Sequence, residues 1–425
     1  MDMLDWQCMR LLDILVLISA VARATPIVVG YFMPNDRTSI KDIPFDKLTH
    51  INVAFGTLSN DAQPSQVTLN DGLVKEVVEA AQKSSTKPKV LLSLGGWGGS
   101  KMFSKMVQAK HHRKEFITKL VGLIKPIEEG GLGLDGIDLD WEFPGEVGAG
   151  NFFNASDTDN LLLLLSEMRA KFTNAKLITA AVPMLPFKGK DNQPIKDASR
   201  FAKYFDYVTV MAYNIYGSWS TTTGPNAPLH TSKDVSHSLA DSLNKWKEAK
   251  FPPHKIVGGL AFYGQTFETA ERVTAKSQFV KKKPPQPHKK ISHSVSQSDV
   301  YLYKFIRETI LSDPQTPKPG YVRYFDKVTQ TPYLYKPSTH QLITYDDPIS
   351  IQAKASYIQG KGFGGAMIWE LTNDYNNELI DATIQGLKAH TKYPASTHSL
   401  STPKGSRRKP QHKKLKCHQK YKILK

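Results

Sequence analysis

The densest chemistry in the chain lies in Asp135-Gly-Ile-Asp138-Leu-Asp140-Trp-Glu142, where the acids Asp138, Asp140 and Glu142 alternate with Ile137, Leu139 and Trp141. A period of two is the pattern of a strand, whose successive side chains point to opposite faces. The three acids therefore share one face and the apolar residues the other. Like charges a few ångströms apart cannot all ionise, so at least one pKa is raised, the device that keeps a carboxylic acid protonated for general-acid work near neutral pH. Glu142, last in the run, is the candidate acid. Asp135 falls outside the even-numbered register and reads as structural, at the start of the strand. An acidic strand can also be a solvated edge or a hard-cation site of oxygen ligands. The apolar flanks and the following Phe143-Pro144-Gly145 argue against an edge, and no second cluster of acids or histidines supports a metal. Neither a metal nor another cofactor is expected.

The elements that must position these acids follow from short β-branched or aromatic runs at 27–32, 49–55, 88–94, 135–141, 177–183, 206–213, 256–262 and 363–369. Between them lie amphipathic stretches such as 73–82, 114–128, 158–172 and 235–248, with apolar residues spaced near 3.6. Eight β/α units over about 360 residues predict a (β/α)8 TIM barrel, whose chemistry sits at the C-terminal ends of the strands. An open doubly wound sheet is the alternative. No G-x-G-x-x-G follows the first strand, and Gly95-Gly96-Trp97-Gly98-Gly99 lacks the Gly-Lys-Ser/Thr of a P-loop, so nucleotide binding is unsupported. The interval before the last strand, 264–350, is too long for one helix. It carries a Lys/Pro-rich stretch at 281–290 and aromatic strand-like pieces at 321–325, 333–335 and 342–345, and reads as a small α+β insertion between strands 7 and 8.

Asp135-x-x-Asp138-x-Asp140-x-Glu142 resembles the active-site signature of the family 18 glycoside hydrolases, the chitinases, and the likeness runs from residue 27 to about 388. Ser93-x-Gly95-Gly96 resembles the family's S-x-G-G, and Met211-Ala-Tyr213-Asn214 its M-x-Y-D with Asn in place of Asp. Trp369 stands where the eighth-strand tryptophan would. The resemblance implies retaining, substrate-assisted cleavage of β-1,4-linked N-acetylglucosamine, an exception to the two-carboxylate scheme. Glu142 would protonate the leaving oxygen. Asp140 would hold the acetamide N–H, Asp138 would share a proton or hydrogen bond with Asp140, and Tyr213 would donate to the acetamide oxygen. Trp369 would form the floor under the sugar, with Tyr31, Phe55, Trp97, Met211, Asn214 and Trp219 as further lining. Ser93, Gly95 and Gly96 read as a tight strand exit. The partner implied is chitin or chito-oligosaccharide and the protein a monomer. A catalytically silent chito-oligosaccharide lectin and an endo-β-N-acetylglucosaminidase acting on N-glycans are the competing functions.

Composition sets the outer bounds. The chain has 425 residues, 40% hydrophobic against 22% charged, which is globular and excludes wholesale disorder. Lys and Arg exceed Asp and Glu by 56 − 39 = 17, but ten of the basic residues lie between Lys404 and Lys425. The body, 25–388, is therefore only mildly basic, and 389–425 reads as a disordered basic tail with no nucleic-acid module behind it. Cys8 and Cys417 stand at the two extremes, so no disulfide framework supports the body. Residues 1–24, with the apolar run 11–22 and Ala22-Arg23-Ala24, read as a signal peptide, too short to span a bilayer. Secretion to the extracellular space or cell wall follows, and Asn154-Ala155-Ser156 is a glycosylation acceptor on that route.

Overall fold

The computed structural model describes residues 25–34, 39–58, 63, 65–172, 174–283 and 299–389. The stretches read as a signal peptide and as a basic tail lie outside them, apart from Ala389. Eight strands pair in parallel and close on themselves: β1 (Ile27–Phe32), β2 (His50–Leu58), β3 (Lys89–Gly95), β4 (Gly136–Asp140), β5 (Leu177–Val182), β6 (Tyr207–Val210), β7 (Ile256–Ala261) and β8 (Gly365–Trp369). β8 pairs with β1, and β1 with β2, so no barrel edge is left open. This is the (β/α)8 barrel read from the sequence, with the strands within one to three residues of the apolar runs.

The strands are buried on both faces, and the two faces differ in kind. On the outer face Ile137, Leu139 and Trp141 join one core with Leu161, Leu164, Leu165 and Met168 of the helix Asp157–Phe172. Trp141 stacks on Phe103 with ring centroids 5.3 Å apart. Fully burying each such side chain contributes about 1.5–3 kcal/mol. That gain offsets what the inner face costs, because there β4 turns Asp138 and Asp140 into the barrel.

Helix bounds depart from the sequence reading where a local breaker acts. The stretch 114–128 is a helix only over Lys110–Leu123, and a short turn Ile127–Glu129 follows Pro126, whose ring cannot continue an α-helix. Between β7 and β8 a five-stranded antiparallel sheet runs in the order 300–302, 263–268, 341–344, 331–336 and 322–326. Its first strand, Tyr263–Glu268, begins two residues after β7 ends.

Buried charge ties this sheet to the barrel. Lys354, on the helix Pro348–Gly360, donates to Asp346, and both are about 1% exposed. Ser350 Oγ also donates to Asp346, at 2.6 Å, while Arg323 of the strand Val322–Asp326 donates to the neighbouring, fully buried Asp347. Removing one partner of a buried pair leaves the other charge uncompensated, at a cost of about 3–5 kcal/mol. Lys354→Met is therefore expected to lower the unfolding free energy by about that amount in urea titrations. A loss below about 1 kcal/mol would mean that the pair adds nothing to the barrel's closure.

Candidate active site

Strand register builds the deepest layer of the site. Ser93 of β3, Asp138 of β4 and Thr179 of β5 stand level on adjacent strands. Both hydroxyls turn to the carboxylate, Ser93 Oγ donating to Asp138 Oδ2 at 2.8 Å and Thr179 Oγ1 to Oδ1 at 2.6 Å. Tyr31 reaches from β1 and donates its hydroxyl to Oδ2 at 2.7 Å. Burial raises the Asp138 pKa, and these donors oppose the rise by favouring the anion. Ser93, read as part of a strand exit, thus also holds the deepest acid. The charge of Asp138 is felt by Asp140, two residues further along β4.

Asp140 lies one step nearer the mouth and is 3% exposed, and its Oδ1 has no hydrogen-bond partner among the described residues. Burial, and then the charges of Glu142 and Asp138, hold its carboxyl well above the ordinary range. Burial likewise pushes Glu142 up to about 7. Glu142 sits two residues past the end of β4, and its position is set through its backbone. Its N–H donates to Ser100 Oγ at 3.0 Å, and that hydroxyl donates to the carbonyls of Gly96 and Asp140. Asp157, the first residue of its helix, accepts from Ser104 Oγ at 2.7 Å and from the backbone N–H groups of Asn154 and Gly145, which fastens the loop beyond Glu142.

The strand exit opposite needs glycine. Gly95 has φ +114° and Gly96 +76°. A Cβ on Gly95 would stand 2.2 Å from the Asp140 carbonyl, and one on Gly96 2.7 Å from the Phe55 ring. Asp135 is used structurally, its carboxylate accepting from Val90 N–H and from Lys89 Nζ, each at 2.9 Å, at the opposite end of the barrel.

Above the acids, Trp369 is half-buried, with Tyr31 edge-on at 5.4 Å and Phe55 stacked at 5.7 Å between centroids. Tyr213 is 8% exposed, and burial together with Tyr263 and the three acids raises its pKa well above the usual value, so it stays a protonated donor. Met211 is half-buried beside this layer. Trp97 and Trp219, on loops after β3 and β6, are 57% and 62% exposed.

Several site residues escape sequence reasoning. Thr179, Ser100, Tyr263, Gln265 and Asn226 sit outside any acidic or glycine motif. Asn214, at φ +58°, donates its backbone N–H to Asn226 Oδ1 at 3.1 Å. Its own Oδ1 accepts from Tyr263 Oη at 2.6 Å and Gln265 Nε2 at 3.1 Å. Both donors belong to the first strand of the inserted sheet, so its leading edge completes the site.

A (β/α)8 barrel that buries carboxylates at its C-terminal mouth, with a half-buried tryptophan at the end of its last strand, has the layout of a glycoside hydrolase. The family description "Glycosyl hydrolases family 18" matches residues 27–374, and the chain belongs to that family. It is similar to a "chitinase-like effector" of Moniliophthora roreri, 30% identical over 88% of this chain and 97% of that protein. "Chitinase 1" of Aphanocladium album is 28% identical over 81% of each. Among solved structures, the chitinase RmChi1 of Rhizomucor miehei superposes with a TM-score of 0.76 at 30% identity, covering 85% of this chain and all of that one.

Asn214 offers a direct probe of the electrostatics. The potential of Glu142 reaches Tyr263, whose hydroxyl bonds Asn214. A carboxylate at 214 would add a like charge and make ionising Glu142 costlier. Glu142 would then keep its proton to higher pH. Asn214→Asp is therefore expected to move the alkaline limb of the kcat/KM profile upward. A limb that stays put or falls would mean that position 214 works through hydrogen bonding alone.

Proposed function

We propose that the protein is a secreted chitinase that hydrolyses the β-1,4 bonds of N-acetylglucosamine polymers, internally and with retention, the substrate's own acetamide acting as nucleophile. One observation carries the reading. Asp140 Oδ1 is a buried acceptor without a hydrogen-bond partner among the described residues, beside an acid raised to about 7, in a barrel mouth that also holds a half-buried tryptophan. Leaving such an acceptor unpaired costs about 1–3 kcal/mol. An acetamide N–H of the sugar on Trp369 supplies the missing donor.

The steps follow from the groups. Protonated Glu142 gives its proton to the leaving glycosidic oxygen. As that bond breaks, the acetamide oxygen closes on the anomeric carbon, oriented by the Tyr213 hydroxyl, and forms a cyclic oxazolinium cation. Asp140 accepts the acetamide N–H and shares its proton with Asp138, so the negative charge of the pair stabilises the cation, with Asp138 held by three hydroxyls. Glu142, now ionised, takes a proton from water as the water attacks the anomeric carbon on the face the leaving group left. The configuration is retained and Glu142 regains its proton. Substrate is chitin or chito-oligosaccharide, bound by the monomer along the aromatic mouth of the barrel. No helix among the described residues is long and apolar enough to cross a membrane, which is compatible with a secreted product.

A non-hydrolytic carbohydrate-binding role is the competing reading, favoured by the naming of the Moniliophthora roreri relative as a "chitinase-like effector". Product analysis on defined chito-oligosaccharides separates the two. Glu142→Gln is expected to abolish hydrolysis, a loss of at least about 10²–10⁴-fold, with oligosaccharide binding by calorimetry largely intact. Tyr213→Phe and Asp140→Asn are expected to cut kcat strongly, and fully deacetylated chitosan should not be cleaved. Wild-type protein that binds chitohexaose and releases no shorter sugar would establish the binding role. Efficient cleavage of deacetylated chitosan would remove the assisted mechanism.

A further inference from the structure

Trp219 is the most exposed large apolar side chain on the loop that follows β6, and it occupies a tight turn. Ser220 N–H donates to Gly217 O at 3.0 Å, and Gly217 N–H donates to Ser220 Oγ at 3.2 Å. The indole folds back over its own turn, so that a Cβ on Gly217 would stand 2.3 Å from the ring. The far side of the six-membered ring thereby lies against the Gly217 backbone. A two-residue span of this kind, built from Gly and Ser, has little side-chain packing to hold it in place.

What holds it comes from the inserted domain. Lys282 sends its ammonium to the Ser218 carbonyl at 2.7 Å and the Gly217 carbonyl at 3.2 Å, the two peptide oxygens that precede Trp219. The same ammonium lies 5.5 Å from the centre of the Phe267 ring, on the first inserted strand. No carboxylate pairs with it among the described residues, so its partners are the two carbonyls and an aromatic face. The residues just before it are sewn to the same loop: Thr223 N–H donates to Val280 O at 2.9 Å, Val280 N–H returns to Thr223 Oγ1 at 3.0 Å, and Lys281 bridges Thr222. Hydrogen bonds to a charged donor are roughly twice as strong as neutral ones.

We infer that Lys282 is a positioning residue for sugar binding: by clamping the Gly217 and Ser218 carbonyls it fixes the Trp219 indole as a rigid platform at the barrel mouth. It touches no substrate and acts only through that ring. A stacked sugar gains from an immobile ring because the ordering cost is met before binding. The inference rests on the chitinase reading and adds to it that the inserted segment between β7 and β8 governs how tightly long chains are held.

A double-mutant cycle on full-length protein tests this, with KM and kcat measured on chitohexaose and thermal unfolding recorded for every variant. Trp219→Ala and Lys282→Met are each expected to raise KM about three- to tenfold, with a smaller change in kcat. The double variant is expected to be no worse than Trp219→Ala, because a clamp without its platform has nothing left to contribute. Lys282→Arg, which keeps the charged donors, should stay near wild type. Lys282→Gln, of similar length and with a neutral donor, should fall between and serves in place of Lys282→Met should that variant not fold. Multiplied effects in the double variant, or an unchanged KM in Lys282→Met against a raised one in Trp219→Ala, would overturn the clamp. An unchanged KM in Trp219→Ala would overturn the platform itself, while loss of hydrolysis in the wild-type control would instead strike at the chitinase reading.

Discussion

Placing three carboxyl groups on the inside of a closed barrel is the constraint from which the rest of the site follows. A charge moved from water into a protein interior costs several kcal/mol unless it is paired or hydrogen-bonded. Among the described residues no lysine or arginine pairs with these acids. Asp138 is met by three hydroxyls, and the raised pKa values of Asp140 and Glu142 are the remainder of the cost left standing as proton affinity. The same expense makes the site an acid near neutral pH.

Much of the surrounding structure serves that arrangement. The outward Ile137, Leu139 and Trp141 bury enough apolar surface to keep β4 in register, and a one-residue slip would turn the acids into the apolar layer. Glycines at 95 and 96 let β3 leave the barrel against the Asp140 carbonyl without a clash. Ser100 then bridges that exit to the Glu142 backbone. The inserted segment contributes Tyr263 and Gln265 of its sheet to Asn214 on one side and Lys282, bridged to Thr269 just past that strand, to the Trp219 turn on the other, so it builds the candidate site as well as the scaffold.

The barrel was legible because its signals are local. Runs such as Ile27–Phe32 and Gly365–Trp369 announce buried strands by themselves, and the D-x-D-x-E alternation shows which residues share a face. Partners across strands are another matter. Thr179 is 41 residues from Asp138, and nothing around it distinguishes it from a core threonine; only the register of β4 with β5 brings them together. Tyr263 and Gln265 are 49 and 51 residues from Asn214, on a strand whose start at 263 the composition could not place.

The account's central claim is that burial keeps the Glu142 carboxyl protonated up to neutral pH, and direct titration of that group is the closest test. Protein carrying ¹³C at the glutamate side-chain carboxyls, with Glu142→Gln for assignment by difference, gives one resonance to follow against pH. The account requires a midpoint near 7, well above an ordinary glutamate. A midpoint near the ordinary value, about 4.3, would contradict it, because Glu142 would then be an anion throughout the neutral range with no proton to give.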